Sequence, residues 1–89
     1  MFSNLFGGQN SEKLYDEGVK LYRSGNAEKA VDKLSEAIKK ETAKSDKDTK
    51  LLSNIHTMRG EVYLSVGVAV LSQSDFVYAL QYNPDNEVL

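Results

Sequence analysis

Cysteine and tryptophan are absent from this chain of 89 residues, and it has one proline and one histidine. Without Cys there is no disulfide framework, no thiolate nucleophile and no Cys-based metal site; a reducing compartment is compatible, and a cytoplasmic location is the expectation. No run approaches the ~18 apolar residues of a bilayer span. Met1 to Asn10 lacks both the basic start and the long apolar stretch of a signal peptide. A dominant sign of charge is missing too: 11 basic residues face 13 acidic ones, for a net charge of −2. That balance argues against nucleic acid as a partner, because affinity for phosphate backbones comes mainly from basic side chains releasing counterions. At this length the chain is one domain at most, and a single small core is only marginally stable.

What is present is a repeat. At a constant offset of 42 residues Gly18 matches Gly60, Leu21 matches Tyr63 and Gly25 matches Gly67, while Ala30, Leu34, Ala37 and Ile38 match Ser72, Phe76, Ala79 and Leu80. Glycines fall on glycines, small residues on small ones and large apolar residues on large apolar ones, as expected when only packing positions of a duplicated unit are constrained. The chain reads as one helical hairpin written twice.

Asn10 and Ser11 offer capping oxygens, and Leu14, Gly18, Leu21, Tyr22 and Gly25 then share one helical face, so a first helix is expected from about Ser11 to Ser24. Gly25-Asn26 supplies a residue able to take positive φ followed by a capping side chain. A second, amphipathic helix follows, with Ala27, Ala30, Val31, Leu34, Ala37, Ile38 and Glu41 on its inner stripe. Residues 43–50 form a charged link. A third helix from about Asp48 carries Leu52, Ile55, Arg59, Val62, Tyr63 and Val66. Gly67 signals the second turn, but Val68 after it is a poor cap; the favoured reading is a turn, the alternative a merging of the last two helices through Gly67. The fourth helix runs from about Val68 to Tyr82 and stops at Asn83-Pro84-Asp85.

This spacing resembles the tetratricopeptide repeat, a helix-turn-helix unit with Leu-Gly, Tyr, a turn glycine, Ala, Phe, Ala and a closing Pro. Gly60, Tyr63, Gly67, Phe76, Ala79, Leu80 and Asn83-Pro84 stand at the family's spacing in the second unit; Gly18, Leu21, Gly25, Ala30, Leu34, Ala37 and Ile38 do so in the first. The offset exceeds the usual period of about 34 by about two helical turns, so the helices flanking the link are expected to run about one turn longer. Departures are Leu14 and His56 as the opening large residues, Glu17 and Arg59 in place of Leu before the glycine, Thr42 in place of Pro, and Ser72 in place of Ala. Glu17 and Arg59 occupy equivalent places and could pair across the hairpins. The resemblance implies an all-α fold of two tandem hairpins in an α–α superhelix: leader 1–10, first hairpin 11–42, link 43–50, second hairpin 51–84 and tail 85–89. It also implies a non-enzymatic protein-interaction module that binds a peptide on its concave face. Mapped onto this chain, that face holds Glu12, Tyr15, Val19, Tyr22 and Arg23, then Asn54, Thr57, Glu61, Leu64 and Ser65. The bland alternative is that Tyr15 and Tyr22 only shield the hairpin edge. The family's carboxylate clamp for chaperone tails is not matched, because Tyr15, Val19 and Met58 replace its Lys and Asn residues and a third repeat is missing.

Candidates for chemistry are few. His56 is the lone imidazole and reads as a packing or surface residue. Asp46-Lys47-Asp48 resembles the start of a calcium loop without its Gly and distal Glu. Gly7-Gly8 lacks the strand, spacing and Lys of a phosphate loop. No catalytic, metal or cofactor site is expected. Phe2, Leu5 and Phe6 in the leader are expected to fold back over the first hairpin, the alternative being a docking or membrane-touching peptide.

Charge is unevenly spread. Residues 51–89 hold only Arg59, Glu61, Asp75, Asp85 and Glu87. The fourth helix carries Val70, Leu71, Val77 and Tyr78 opposite its expected core stripe of Val68, Ala69, Ser72, Phe76, Ala79 and Leu80, and a helix apolar all round is buried all round. Burying those four side chains would contribute roughly 6–12 kcal/mol before association costs, and such folds need about three repeats. The expectation is a symmetric homodimer through the fourth helices. The alternatives are a structural assembly subunit whose function is oligomerisation itself, or a fragment of a longer repeat array.

Overall fold

The computed structural model describes residues 10–86. The leader with Phe2, Leu5, Phe6 and Gly7-Gly8, and the end of the tail, lie outside them. Asn10 accepts a hydrogen bond from the Lys13 amide at 2.8 Å and so starts α1, Ser11–Arg23. Asn26 caps α2, Ala27–Thr42, by accepting from the Lys29 amide at 3.3 Å. Asp48 caps α3, Thr49–Ser65, by accepting from the Leu51 amide at 3.0 Å. The last helix is α4, Ala69–Tyr82. The described residues are thus all-α, four helices and no strand. The helices flanking the link, α2 and α3, have 16 and 17 residues, whereas α1 and α4 have 13 and 14, a difference of about one turn.

Both tight turns close the same way. Gly25 (φ 86°) donates to the Tyr22 carbonyl and Asn26 to that of Leu21; Gly67 (φ 83°) donates to Leu64 and Val68 to Tyr63. Each is a Schellman closure, in which a left-handed glycine lets the chain satisfy the last carbonyls of the preceding helix. The last two helices are therefore separate. Val68 makes no side-chain cap bond to α4.

Consecutive helices pack together, α1 also touches α3, and α2 and α4 do not meet. One glycine sets the approach of the two helices within each hairpin. A Cβ on Gly18 would lie 2.7 Å from the Leu34 side chain, and one on Gly60 would lie 2.6 Å from the Phe76 ring. Leu34 and Phe76 thus fill the gaps beside these glycines. Leu14, Ala30, Leu34, Ala37, Ile55 and Val62 form the core, with Tyr15, Leu21, Tyr22, Val31, Ile38 and Met58 packed partly against it.

One expectation fails at α4 and its N-cap, and another at Arg59 in the helix before it. Val68, Ala69 and Leu80 are exposed rather than part of the core stripe, which consists of Ser72, Asp75, Phe76 and Ala79. Ile38, which matches Leu80, lies on a helix flanked by both α1 and α3, whereas α4 packs only on α3 among the described residues. Arg59 does not pair with Glu17. Glu17 lies 3.5 Å from Lys33, while the guanidinium of Arg59 turns to Asp75.

Candidate functional site

Two surfaces and one buried network emerge from this packing. On the network, Asp75 is 1% exposed and accepts from Arg59 Nε at 2.9 Å, Arg59 Nη2 at 2.8 Å and His56 Nδ1 at 2.8 Å. Nδ1 carries the proton if Asp75 is ionised, an assignment made from the hydrogen-bond pattern. Burial pushes the Asp75 carboxyl up, but the hydrogen bonds from His56 and Arg59 and the guanidinium charge outweigh it and hold the pKa below its ordinary 3.8. Arg59 Nη1 also donates to Ser35 Oγ at 3.0 Å, so one guanidinium links α2, α3 and α4. The imidazole of His56 stacks on Tyr78 and Tyr82, with ring centroids 5.1 and 5.7 Å away. Both carboxylate oxygens are thus engaged and the imidazole is covered. This arrangement is a bracket between helices, and it was missed in the sequence. Its one legible signal was spacing: His56 and Arg59 share a helical face at i, i+3, and Asp75 is the sole charge between Ala69 and Tyr82.

A second buried carboxylate fixes the link. Glu41 accepts from Ser11 Oγ, from the Asp48 amide at 2.7 Å and from Lys44 Nζ at 3.0 Å, tying the start of α1 to the end of α2 and the start of α3. Burial raises its pKa, and these donors together bring it below the ordinary 4.5. Among the described residues no group of three or more His, Asp or Glu is placed to hold a metal ion.

The first surface lies across α1 and α3. Tyr22, Glu61, Leu64 and Ser65 line a shallow depression of about 280 Å³. Tyr15 is half-buried beside them: burial raises its phenol pKa, the charges of Asp16 and Glu61 add to that rise, and Arg23 opposes it. So Tyr15, Tyr22, Arg23, Glu61 and Leu64 come into one neighbourhood, with Leu64 57% exposed. Val19 is half-buried on the same helix, and Glu12 and Asn54 are exposed. Thr57 differs from its expected place on an open face. It is buried, donating to the Ser53 carbonyl at 2.8 Å and accepting from Asn86 Nδ2 at 3.2 Å, because the segment after α4 returns across α3. Tyr15 and Tyr22 also pack against the core, so part of their area is structural.

The second surface is the outside of α4, where Val70 (78% exposed), Leu71, Val77 and Tyr78 are open to solvent. Each holds a place which the 42-residue offset gives to Glu28, Lys29, Ser35 and Glu36 in the first hairpin. Apolar side chains thus stand where the same element elsewhere in the chain is polar.

Fold and surfaces together define a class, a small all-α chain of paired helices with uncovered apolar area and paired buried charges. The chain matches no protein-family model, no curated protein and no solved structure. Among the described residues no helix is long and apolar enough to cross a membrane.

Proposed function

We propose that this chain is a non-enzymatic protein-interaction module of the tetratricopeptide type, its two hairpins forming the start of an α–α superhelix. It binds a peptide or protein segment across α1 and α3 and self-associates through α4. The observation carrying the reading is the outer face of α4, where Val70, Leu71, Val77 and Tyr78 are exposed and no charged side chain intervenes, since Asp75 points inward. Soluble chains rarely leave this much apolar side chain uncovered on one helix face, here interrupted only by the neutral Ser74 and Gln81. A second copy can meet it without desolvating any charge, and one two-fold axis makes the strip its own complement. The equal spacing of Gly18 to Leu34 and Gly60 to Phe76, together with the twin Schellman closures, supports the repeat reading.

Sedimentation equilibrium at micromolar concentration tests self-association. A dimer mass that falls to the monomer in Val77→Glu is the expected result, and a folded wild-type monomer overturns it. For the face across α1 and α3, display-selected peptides are expected to bind the wild-type chain and to lose binding to Leu64→Glu and to Tyr15→Ala/Tyr22→Ala, with mass and helicity unchanged. Rigid aromatic side chains and Arg are the usual anchors of such contacts. Peptides that bind these variants undiminished would reduce the function to assembly alone.

A further inference from the structure

Away from both surfaces, a groove of about 370 Å³ opens between the start of α2 and the turn that joins α3 to α4. Ala27, Val31, Tyr63, Val66 and Val68 make its walls, and the exposed carboxylates of Glu28 and Asp32, one turn apart on α2, border it. Neither carboxylate forms an ion pair among the described residues. Arg59, whose Cζ lies 5.8 Å from the Tyr63 ring centroid, is already neutralised by Asp75, and of the two lysines next to these carboxylates on α2, Lys33 lies against Glu17 while Lys29 is exposed.

The two valines are the informative part. Val66 and Val68 match Ser24 and Asn26 of the first turn, where Ser24 donates to the Leu21 carbonyl and Asn26 caps the next helix. In the second turn the cap bond is missing, and both valines are exposed. Helix starts favour Ser, Thr, Asn or Asp, so Val68 breaks a local rule at some expense to stability. Such departures concentrate at functional positions. An apolar slot kept at the expense of a cap, with two unpaired carboxylates alongside, calls for a ligand that is both apolar and basic.

We infer that this groove is a second docking site, for a protein segment that places an aliphatic side chain between Val66, Val68 and Tyr63 and a flanking Lys or Arg against Glu28 and Asp32. The negative edge excludes an acidic segment and speeds encounter with a basic one. The site is independent of the face across α1 and α3 and of self-association, since neither Glu28 nor Asp32 belongs to those surfaces.

The test is a titration of the 15N-labelled full chain, followed by amide shifts, with an amidated peptide of about ten residues carrying Leu flanked by lysines. Two controls replace its Lys by Glu or its Leu by Ala. Saturable shifts confined to Ala27, Val31, Tyr63, Val66 and Val68 are expected with the basic peptide and with neither control. Glu28→Gln/Asp32→Asn should weaken binding by about tenfold, with a loss of salt dependence. Val68→Asn should weaken it similarly while the melting temperature holds or rises, because Asn restores the cap seen at Asn26, and this separates docking from folding. The inference is overturned if the peptide fails to bind, binds elsewhere, or is indifferent to these substitutions. It is also overturned if the same amides shift with protein concentration alone, which would mean that a second copy fills the groove.

Discussion

Asp75 is the only charged side chain of α4, and the fold buries it, so its partners decide whether it stabilises or ruins the helix pair. Removing the Arg59 guanidinium would leave a carboxylate with only His56 for compensation. Arg59→Ala is expected to cost about 3–5 kcal/mol, the usual penalty for stranding half of a buried pair; chemical denaturation measures it. The carboxyls of both Asp75 and Glu41 are held below their ordinary values. The unfolded chain therefore takes up protons at a higher pH than the folded one. Their contribution is complete above the ordinary carboxyl range and is lost as pH falls through the folded values, so stability should drop in acid below about pH 4. In Asp75→Asn the acid-dependent slope should shrink, as urea midpoints across pH would record. Gly60 gives a steric counterpart, because a methyl there meets the Phe76 ring. Gly60→Ala should cost about 1–3 kcal/mol through forced repacking.

At the scale of the element, helix ends rather than helix interiors distinguish the two hairpins. Asn10, Asn26 and Asp48 all cap with a side chain, and Val68 does not. Val68→Asn is expected to stabilise the chain by about 1 kcal/mol, raising the melting temperature by roughly 4–8 °C; calorimetry would show it. Gly67 holds φ at 83°, where a side chain is strained. Gly67→Ala should lose about 1 kcal/mol or more, and α4 amides should exchange faster than those of α1. The first three starts and both turn glycines were legible in the sequence, since caps and positive-φ positions are written in a few adjacent residues. Only the choice between a turn and a merged helix at Gly67 is left to the fold, because Val68 removes the usual local signal.

At the scale of the whole molecule, the described residues form four helices in which α3 is flanked on both sides and α4 on one. That asymmetry places Leu80 in solvent although Ile38, its match, is half-buried. It also leaves the α4 strip open, and the self-association proposed for it carries a linkage. A dimer that forms only from folded chains makes stability depend on concentration. The melting temperature of the wild type should rise with protein concentration, and that of Val77→Glu should not. Equal behaviour of the two would remove α4 from the interface.

The helical period, the capping residues and the glycine pairs of this protein follow from its sequence alone, because each depends on neighbours within one or two turns of the chain. Leu34 and Phe76 could be matched to Gly18 and Gly60 for the same reason: sixteen residues separate each pair across one tight turn. Only the tertiary structure decided that Asp75 is buried with Arg59 and His56, that Glu41 joins three helix ends, and that Thr57 lies beneath Asn86. Those outcomes depend on which helix lies beside which, and burial of a charge is settled by partners that arrive from distant parts of the chain.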